Sequence, residues 1–151
     1  IHEGRGRSLR TRILNLAAIA SCLGRPLPVV ARFLGHASQT SVTVDQDTRE
    51  VYLSGRIEEM DLQKAISLDY VPNFVLCVNC RLPETVPRVK GQGKRAVVWY
   101  HCKACGHVEE DLMIDKTSKT LATELLKRKK EAKKSSSAAK RDAGGAPDKA
   151  A

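Results

Sequence analysis

The stretch FVLCVNCRLPET, residues 74–85, contains a Cys-x-x-Cys pair, and a second pair lies in HCKACG, residues 101–106. The two pairs are separated by 21 residues, which is just beyond the about 15 to 20 residues usual for a four-cysteine zinc site. Each Cys-x-x-Cys turn can direct two thiolates at one ion, and two such turns complete a closed tetrahedron. We therefore expect all four cysteines to bind a structural Zn²⁺: Cys77, Cys80, Cys102 and Cys105.

Two other uses of these cysteines fit the sequence less well. A thioredoxin-like redox pair needs one Cys-x-x-Cys near a βαβ pattern, not two matched motifs. A disulfide framework belongs to oxidising compartments, whereas the apolar run after residue 12 is short and interrupted and does not resemble a secretory signal. His101 and His107 flank the second pair and could replace a cysteine, although adjacency alone favours a non-ligand role.

The residues between the cysteine pairs predict a small antiparallel sheet. AVVWYH, residues 96–101, is strongly β-forming, and VKGQGKR, residues 89–95, supplies the turn before it. With both cysteine turns this indicates a zinc ribbon over residues 73–115. Such a unit is too small to fold by apolar burial alone, so bound metal should supply most of its folding free energy.

The first half of the chain, residues 1–72, predicts an α+β domain of the order helix, helix, hairpin, helix. Four segments carry this prediction: a helix in LAAIASCLG (16–24), a short helix from Pro28, a hairpin in QTSVTVDQDTREVYLSG (39–55) and a helix in IEEMDLQKAISLDY (57–70). Before them, EGRGRSLRTR (3–12) is typical of a loop. Cys22, in the first helix, is expected to be a small core residue.

The basic residues are concentrated at the two ends of the chain, whose formal net charge is +9. Residues 1–12 hold four arginines against one glutamate, residues 127–151 hold nine basic and three acidic residues, and residues 13–126 hold 13 of each. This distribution suits contacts with a polyanion, nucleic acid first. Solubility is the alternative for the C-terminal run. Residues 116–151 predict a basic helix to about residue 133, followed by a disordered tail.

Nothing in the sequence suggests an active site. There is no Walker sequence, no H-E-x-x-H and no G-x-S-x-G, and four thiolates around a metal leave no position for a substrate. The acidic run at residues 109–111 is expected to be surface charge. No apolar run approaches the ~20 residues that span a bilayer. We predict a binding protein in a reducing, cytoplasmic compartment, not an enzyme and not a membrane protein.

Several sequence motifs, taken in order along the chain, resemble those of a known protein family. The motifs are EGRG (3–6), GRP (24–26), QTSVTVD (39–45), FVLC-x-x-C-x-x-PET (74–85) and HCKACG (101–106). In this order they resemble the N-terminal domain of eukaryotic translation initiation factor five and its relative, the beta subunit of initiation factor two. The resemblance covers roughly residues 3–127, and the residues around the cysteines favour factor five.

The resemblance implies an initiation factor that promotes GTP hydrolysis by initiation factor two in trans. Its implied partners are the small ribosomal subunit, initiator tRNA, the start-codon region of mRNA, GTP-bound initiation factor two and other initiation factors. The alternative is the beta subunit, a structural zinc-ribbon protein that binds the GTP-binding subunit and initiator tRNA. In the family the helical-repeat domain follows these modules, so the chain is expected to be a fragment.

The resemblance also implies where RNA is contacted. Gly4, Arg5 and Gly6 match the family loop that approaches the codon and anticodon. The RNA-binding residues expected on this basis are Gly4, Arg5, Gly6, Arg7, Arg10 and Arg49. The turn DQDTRE (45–50) looks longer than the family turn, so Arg49 is its expected contact, with Gln46 a less basic substitute. The family's GTPase-activating arginine lies upstream of EGRG, so none of the arginines of the loop should have that role.

Overall fold

The fold is mixed α+β, as the sequence predicts, in a computed structural model that describes residues 1–142, with side chains to residue 136. The strands are β1 (His2–Glu3), β2 (Arg10–Ile13), β3 (Val42–Val44), β4 (Val51–Ser54), β5 (Thr85–Lys90), β6 (Val97–Cys102) and β7 (Val108–Glu110). The helices are α1 (Leu16–Cys22), α2 (Leu27–Ala37), α3 (Glu59–Lys64), α4 (Val71–Phe74) and α5 (Lys116–Asp142).

The Gly/Arg segment differs from the expected loop, because its flanks form strands. β1 and β2 pair antiparallel and join the β3–β4 hairpin in a four-stranded sheet of order β1-β2-β4-β3. Thr11 is 3% exposed, and its hydroxyl donates to the Gly55 carbonyl at 2.8 Å. Arg10 and Arg12 alternate with Thr11 and Ile13, a period of two that marks a strand with one charged face. In the sequence, the charged arginines make this segment resemble a polar loop, so the strand alternation is not apparent.

The third helix continues through the predicted end of the first domain. α3 passes directly into a π-helical stretch, Ala65–Tyr70, and then into α4. Pro72 lies in α4 and cannot donate the helical backbone hydrogen bond, and the wider π-helical turns precede it. Since this helical segment spans residues 72 and 73, the division of the chain there stays a prediction.

The larger core lies between the N-terminal helices and the sheet. It buries Leu16, Val30 and Leu34 with Val51 and Tyr70. The prediction for Cys22 is wrong: the thiol is exposed, because it lies two positions after buried Ala20 and is therefore rotated by about 200° around the helix.

A smaller core joins α5 to both halves of the molecule. Val29 of α2, Val98 of β6 and Leu121 of α5 are each about 1% exposed or less and pack together. The first turns of α5 thus lie between the N-terminal domain and the β5-β6-β7 sheet, which is antiparallel as predicted. α5 also continues past the helix end predicted near residue 133, to Asp142, since Ala and Lys are good helix formers. The disordered tail stays a prediction, and its residues 143–151 lie outside the described range.

Within residues 1–142, none of the helices is by itself long and apolar enough to span a membrane. α1 and α2 together meet the length and composition test only as a pair bent by 113°.

Candidate metal centre and nucleic-acid interface

The two Cys-x-x-Cys turns have the same backbone construction. In the first, the Arg81 N–H donates to the Cys77 carbonyl at 2.9 Å, and in the second the Gly106 N–H donates to the Cys102 carbonyl at 3.0 Å. The residue four positions after the first cysteine is left-handed in both turns, with φ 59° at Arg81 and 75° at Gly106. Each turn therefore presents its two thiols in the same way, and the two turns face each other.

The four sulfur atoms form a compact cluster. All lie within 4.8 Å of one another, with 3.7 Å between the Cys77 and Cys105 sulfurs and 3.6 Å between those of Cys80 and Cys102. Four thiolates around Zn²⁺ at about 2.3 Å would lie about 3.8 Å apart along each edge of a tetrahedron. The donor set and its spacing therefore fit one tetrahedral ion. Among the described residues this is the one such group, and neither His101 nor His107 belongs to it.

The electrostatic surroundings differ between the ligand positions. At Cys80 the hydrogen bond from the Leu82 backbone is outweighed by burial and the neighbouring sulfurs, which raise the pKa of that thiol to about 12, whereas Cys105 favours the thiolate. The side chain of Asn79, followed by the backbone N–H of His107, hydrogen-bonds the Cys105 sulfur and lowers the pKa of that thiol to about 6. A thiol must lose its proton to bind a metal. These two groups therefore favour the thiolate form at the most exposed ligand position.

The predicted Gly/Arg loop is a tight turn between β1 and β2. Gly4 and Gly6 have φ of 83° and 58°, and Gly6–Ser8 is a 3₁₀ turn. The Ser8 hydroxyl donates to the Arg5 carbonyl at 2.8 Å and accepts from the Arg5 N–H at 3.3 Å. A side chain at Gly4 would lie 2.3 Å from the Ser8 carbonyl oxygen. The turn therefore requires glycine at its first position, which the sequence alone did not reveal.

The arginines in and beside this turn differ in whether a carboxylate binds them. Arg5 and Arg7 are exposed, and no described residue forms a salt bridge with either. Arg10 instead donates to the Glu3 carboxylate from Nε at 3.2 Å and from Nη2 at 3.1 Å. Its guanidinium lies 4.4 Å from the centroid of the Tyr52 ring. Arg5 and Arg7 are thus available to a ligand, whereas Arg10 would have to leave Glu3.

The structure does not bring Arg49 to the Gly/Arg turn. Arg49 is exposed and left-handed, with φ 59°, in the β3–β4 turn. β2 and β4 pair Arg10 with Ser54 and Ile13 with Val51, so the two turns lie at opposite ends of the sheet. A strand rises about 3.3 Å per residue, and the four residues of β2 therefore separate them by roughly 13 Å. That these residues contact RNA stays a prediction, and the structure divides the predicted contacts between two separate turns.

Arg12 binds one carboxylate beside each of the two turns, Glu3 and Glu50, and no sequence pattern predicted these contacts. It donates to Glu50 from Nη2 at 2.6 Å and from Nε at 2.8 Å, and to Glu3 from Nη1 at 3.0 Å. These carboxylates raise the pKa of Arg12, chiefly through the hydrogen bonds with Glu50. Hydrogen bonding to Arg12 in turn lowers the pKa of Glu3 and of Glu50. Arg12 of β2 is therefore neutralised by two carboxylates, whereas no described residue forms a salt bridge with Arg5, Arg7 or Arg49 in the turns.

Comparisons of the sequence with known proteins identify the family of this chain. Residues 1–108 match the family model of a domain found in initiation factors 2B and 5. Eukaryotic translation initiation factor 5 of Saccharomyces cerevisiae is 35% identical over 106 residues, which are 69% of this chain and 25% of that protein. Probable eukaryotic translation initiation factor 5 of Schizosaccharomyces pombe is 33% identical over 105 residues, 70% of this chain and 26% of that protein.

A plant relative extends the match toward α5. Eukaryotic translation initiation factor 5 of Phaseolus vulgaris is 29% identical over 134 residues, 89% of this chain and 28% of that protein. The chain spans about a quarter of the length of the curated relatives it matches. The predicted resemblance is confirmed, and because the family model covers most of the residues, the chain belongs to the family defined by the domain found in initiation factors 2B and 5.

Proposed function

We propose that this chain is a module of a translation initiation factor that binds the small ribosomal subunit close to initiator tRNA and the start codon. Its relatives are named as initiation factor 5. The observation that carries the proposal is the Gly/Arg turn. The Ser8 side chain hydrogen-bonds the backbone of the turn, while Arg5 and Arg7 are exposed and form no salt bridge with any described residue. An arginine held in this way can pair with phosphate through two parallel hydrogen bonds.

The cysteine cluster supports that module by holding the ribbon together, and Zn²⁺ is the ion we assign to it. Four thiolate donors in a closed tetrahedral arrangement favour zinc over hard cations. The ion would act structurally, because no coordination position remains for a substrate. Cys77, Cys80, Cys102 and Cys105 are the proposed ligands.

We further propose that the whole factor promotes GTP hydrolysis by initiation factor two in trans. In this account the chain positions the factor on the initiation complex by contacting RNA. The contacts are Gly4, Arg5, Gly6 and Arg7, with Arg10 and Arg49 as further contacts. Other initiation factors assemble in the same complex, in the cytoplasm. The beta subunit of initiation factor two is the competing assignment, since the family is not confined to factor 5, and stoichiometric co-purification with the GTP-binding subunit would favour it.

Binding to reconstituted small-subunit complexes tests the proposal. We expect the chain to bind complexes that carry initiator tRNA and a start codon, with affinity that falls steeply as salt rises. R5A/R7A should weaken this binding, whereas R32A/K64A removes two exposed charges from α2 and α3 and should change it less. Equal binding by wild type and R5A/R7A, at every salt concentration, would contradict the assignment of the turn.

A further inference from the structure

The outer face of the β5-β6-β7 sheet carries an aromatic ring among cations. The strand register pairs Arg88 with Trp99, and Lys90 and His101 lie two residues away on the same face, since side chains alternate along a strand. The opposite face is the covered one, because Val98 is fully buried in the smaller core. Among the residues that the structure describes, the side chains of this outer face belong to neither core.

The arrangement around Trp99 is suited to a base and its phosphates. Lys90 Nζ lies 5.2 Å from the centroid of the Trp99 ring. The shallow hollow beside the ring has a volume of about 310 Å³, and its lining is Arg88, Lys90, Trp99, His101 and Val108. Glu110 pairs with Trp99 across β6 and β7, so the three strands place two permanent cations and one carboxylate here. Aromatic rings flanked by cations bind single strands by stacking and phosphate contact.

The turn that leads into this face repeats the Gly/Arg turn of the N-terminal sheet. GQGKR, residues 91–95, and GRGRS, residues 4–8, each join two antiparallel strands. Their first glycines have φ of 85° and 83°, and their second glycines 57° and 58°. The residue between the glycines has φ −143° and ψ 149° in one turn, and φ −142° and ψ 150° in the other.

The two turns also share a steric requirement. A side chain at the first glycine would lie 2.6 Å from the Arg95 carbonyl oxygen in the second turn, as it would lie 2.3 Å from that of Ser8 in the first. Both turns present exposed basic side chains, here Lys94 and Arg95. The fold therefore contains the same cationic turn twice, once in each sheet.

We propose that the ribbon binds single-stranded RNA across this face, with a base stacked on Trp99 and the flanking phosphates on Arg88, Lys90 and Lys94. The functional parallel between the two turns assumes that the first turn binds RNA, as proposed above. The binding site around Trp99 does not need that assumption. The ribbon contact is separate from Arg5 and Arg7, and the two can be tested independently.

Trp99 is the only tryptophan of the chain, so its fluorescence reports on this site directly. Titration of the metal-loaded chain with a short oligouridylate should quench that fluorescence to saturation. R88Q/K90Q should weaken binding and reduce the slope of log affinity against log salt by about 1.4, since each phosphate contact with a single strand contributes about 0.7. R32Q/K64Q removes the same charge from exposed positions on α2 and α3 and should leave the quenching curve nearly unchanged. W99F, assayed with a labelled oligouridylate, should retain bound metal and lose affinity through weaker stacking.

The outcomes separate the two proposals. R5A/R7A should leave Trp99 quenching in place even where it weakens binding to initiation complexes. No quenching by oligouridylate would overturn the ribbon site, and so would equal quenching of wild type and R88Q/K90Q. Quenching that R5A/R7A abolishes and R88Q/K90Q does not would also overturn it, because the RNA would then bind at the other turn.

Discussion

Arg25 donates two hydrogen bonds to Thr85, from Nη1 to its carbonyl oxygen at 3.0 Å and from Nη2 to its hydroxyl at 2.8 Å. Nη2 also donates to the Phe74 carbonyl at 2.7 Å. Arg25 lies between α1 and α2, and Thr85 is the first residue of β5, so the contact joins the N-terminal domain to the ribbon. Burial lowers the pKa of Arg25, and among the described residues it forms no salt bridge. Carbonyl and hydroxyl dipoles therefore stabilise this buried cation.

Replacement of Arg25 by alanine should destabilise the whole chain. R25A leaves the carbonyls of Phe74 and Thr85 without their buried donor, and we expect the free energy of unfolding to fall by about 2–4 kcal/mol. R32A changes an exposed arginine on α2 and is the matched control. Denaturant unfolding of metal-loaded protein measures both. A loss of similar size in the two variants would show that Arg25 does not connect the domains.

The Arg12–Glu50 pair should make stability depend on acid pH. Hydrogen bonding to Arg12 holds the pKa of Glu50 below its ordinary value of 4.5. The stabilisation is therefore complete above 4.5 and is lost as pH falls through the lower folded-state pKa. The difference in unfolding free energy between wild type and E50Q should be largest at neutral pH and should shrink in acid. E58Q, in an exposed pair with Arg56, should show little such change, and a pH-independent E50Q difference would refute the account.

The first glycine of each cationic turn should tolerate alanine worse than the second. At Gly4 and Gly91 the new Cβ meets a backbone carbonyl, whereas at Gly6 and Gly93 nothing lies within 4 Å. G6A and G93A should cost about 1–2 kcal/mol, from the left-handed backbone alone. G4A and G91A should cost more, by the same urea-unfolding measurement. If all four substitutions had equal effects, the close approach in these turns would not constrain the chain.

Loss of one metal ligand should unfold the ribbon. C80S removes one of four proposed thiolates, so we expect metal content to fall from one ion per chain and the near-ultraviolet signal of Trp99 in β6 to collapse. C22S removes an exposed thiol outside the cluster and should change neither quantity. Metal analysis and circular dichroism measure both. A ribbon that persists in C80S without bound metal would contradict a metal-dependent fold.

The cysteine site was predictable because its information is local. Two identical spacings, each closed by its own backbone hydrogen bonds, specify two similar turns, and one small sheet between them brings the turns together. The structure adds the left-handed Arg81 at the position that glycine occupies in the second turn. Spacing alone does not report a backbone angle of this kind.

Long-range contacts were not predictable in the same way. In the sequence, Arg25 is typical of a surface arginine after a helix, and its partners lie 49 and 60 residues away. Asp111, predicted as surface charge, accepts hydrogen bonds from the hydroxyls of Tyr100 and Ser118 at 3.2 and 2.8 Å. Similarly, strand order places the Arg49 turn away from the Gly/Arg turn, and no local pattern encodes that order.

Photocrosslinking from the Gly/Arg turn tests the central claim most directly. Arg7 would be replaced by p-benzoylphenylalanine, with the same substitution at exposed Arg32 of α2 as the control, and each chain would be bound to small-subunit complexes carrying initiator tRNA on a start codon. The account predicts that position 7, and not position 32, crosslinks to the tRNA anticodon or to the start-codon nucleotides. Crosslinks from position 7 to protein alone, or to RNA remote from the start codon, would contradict it.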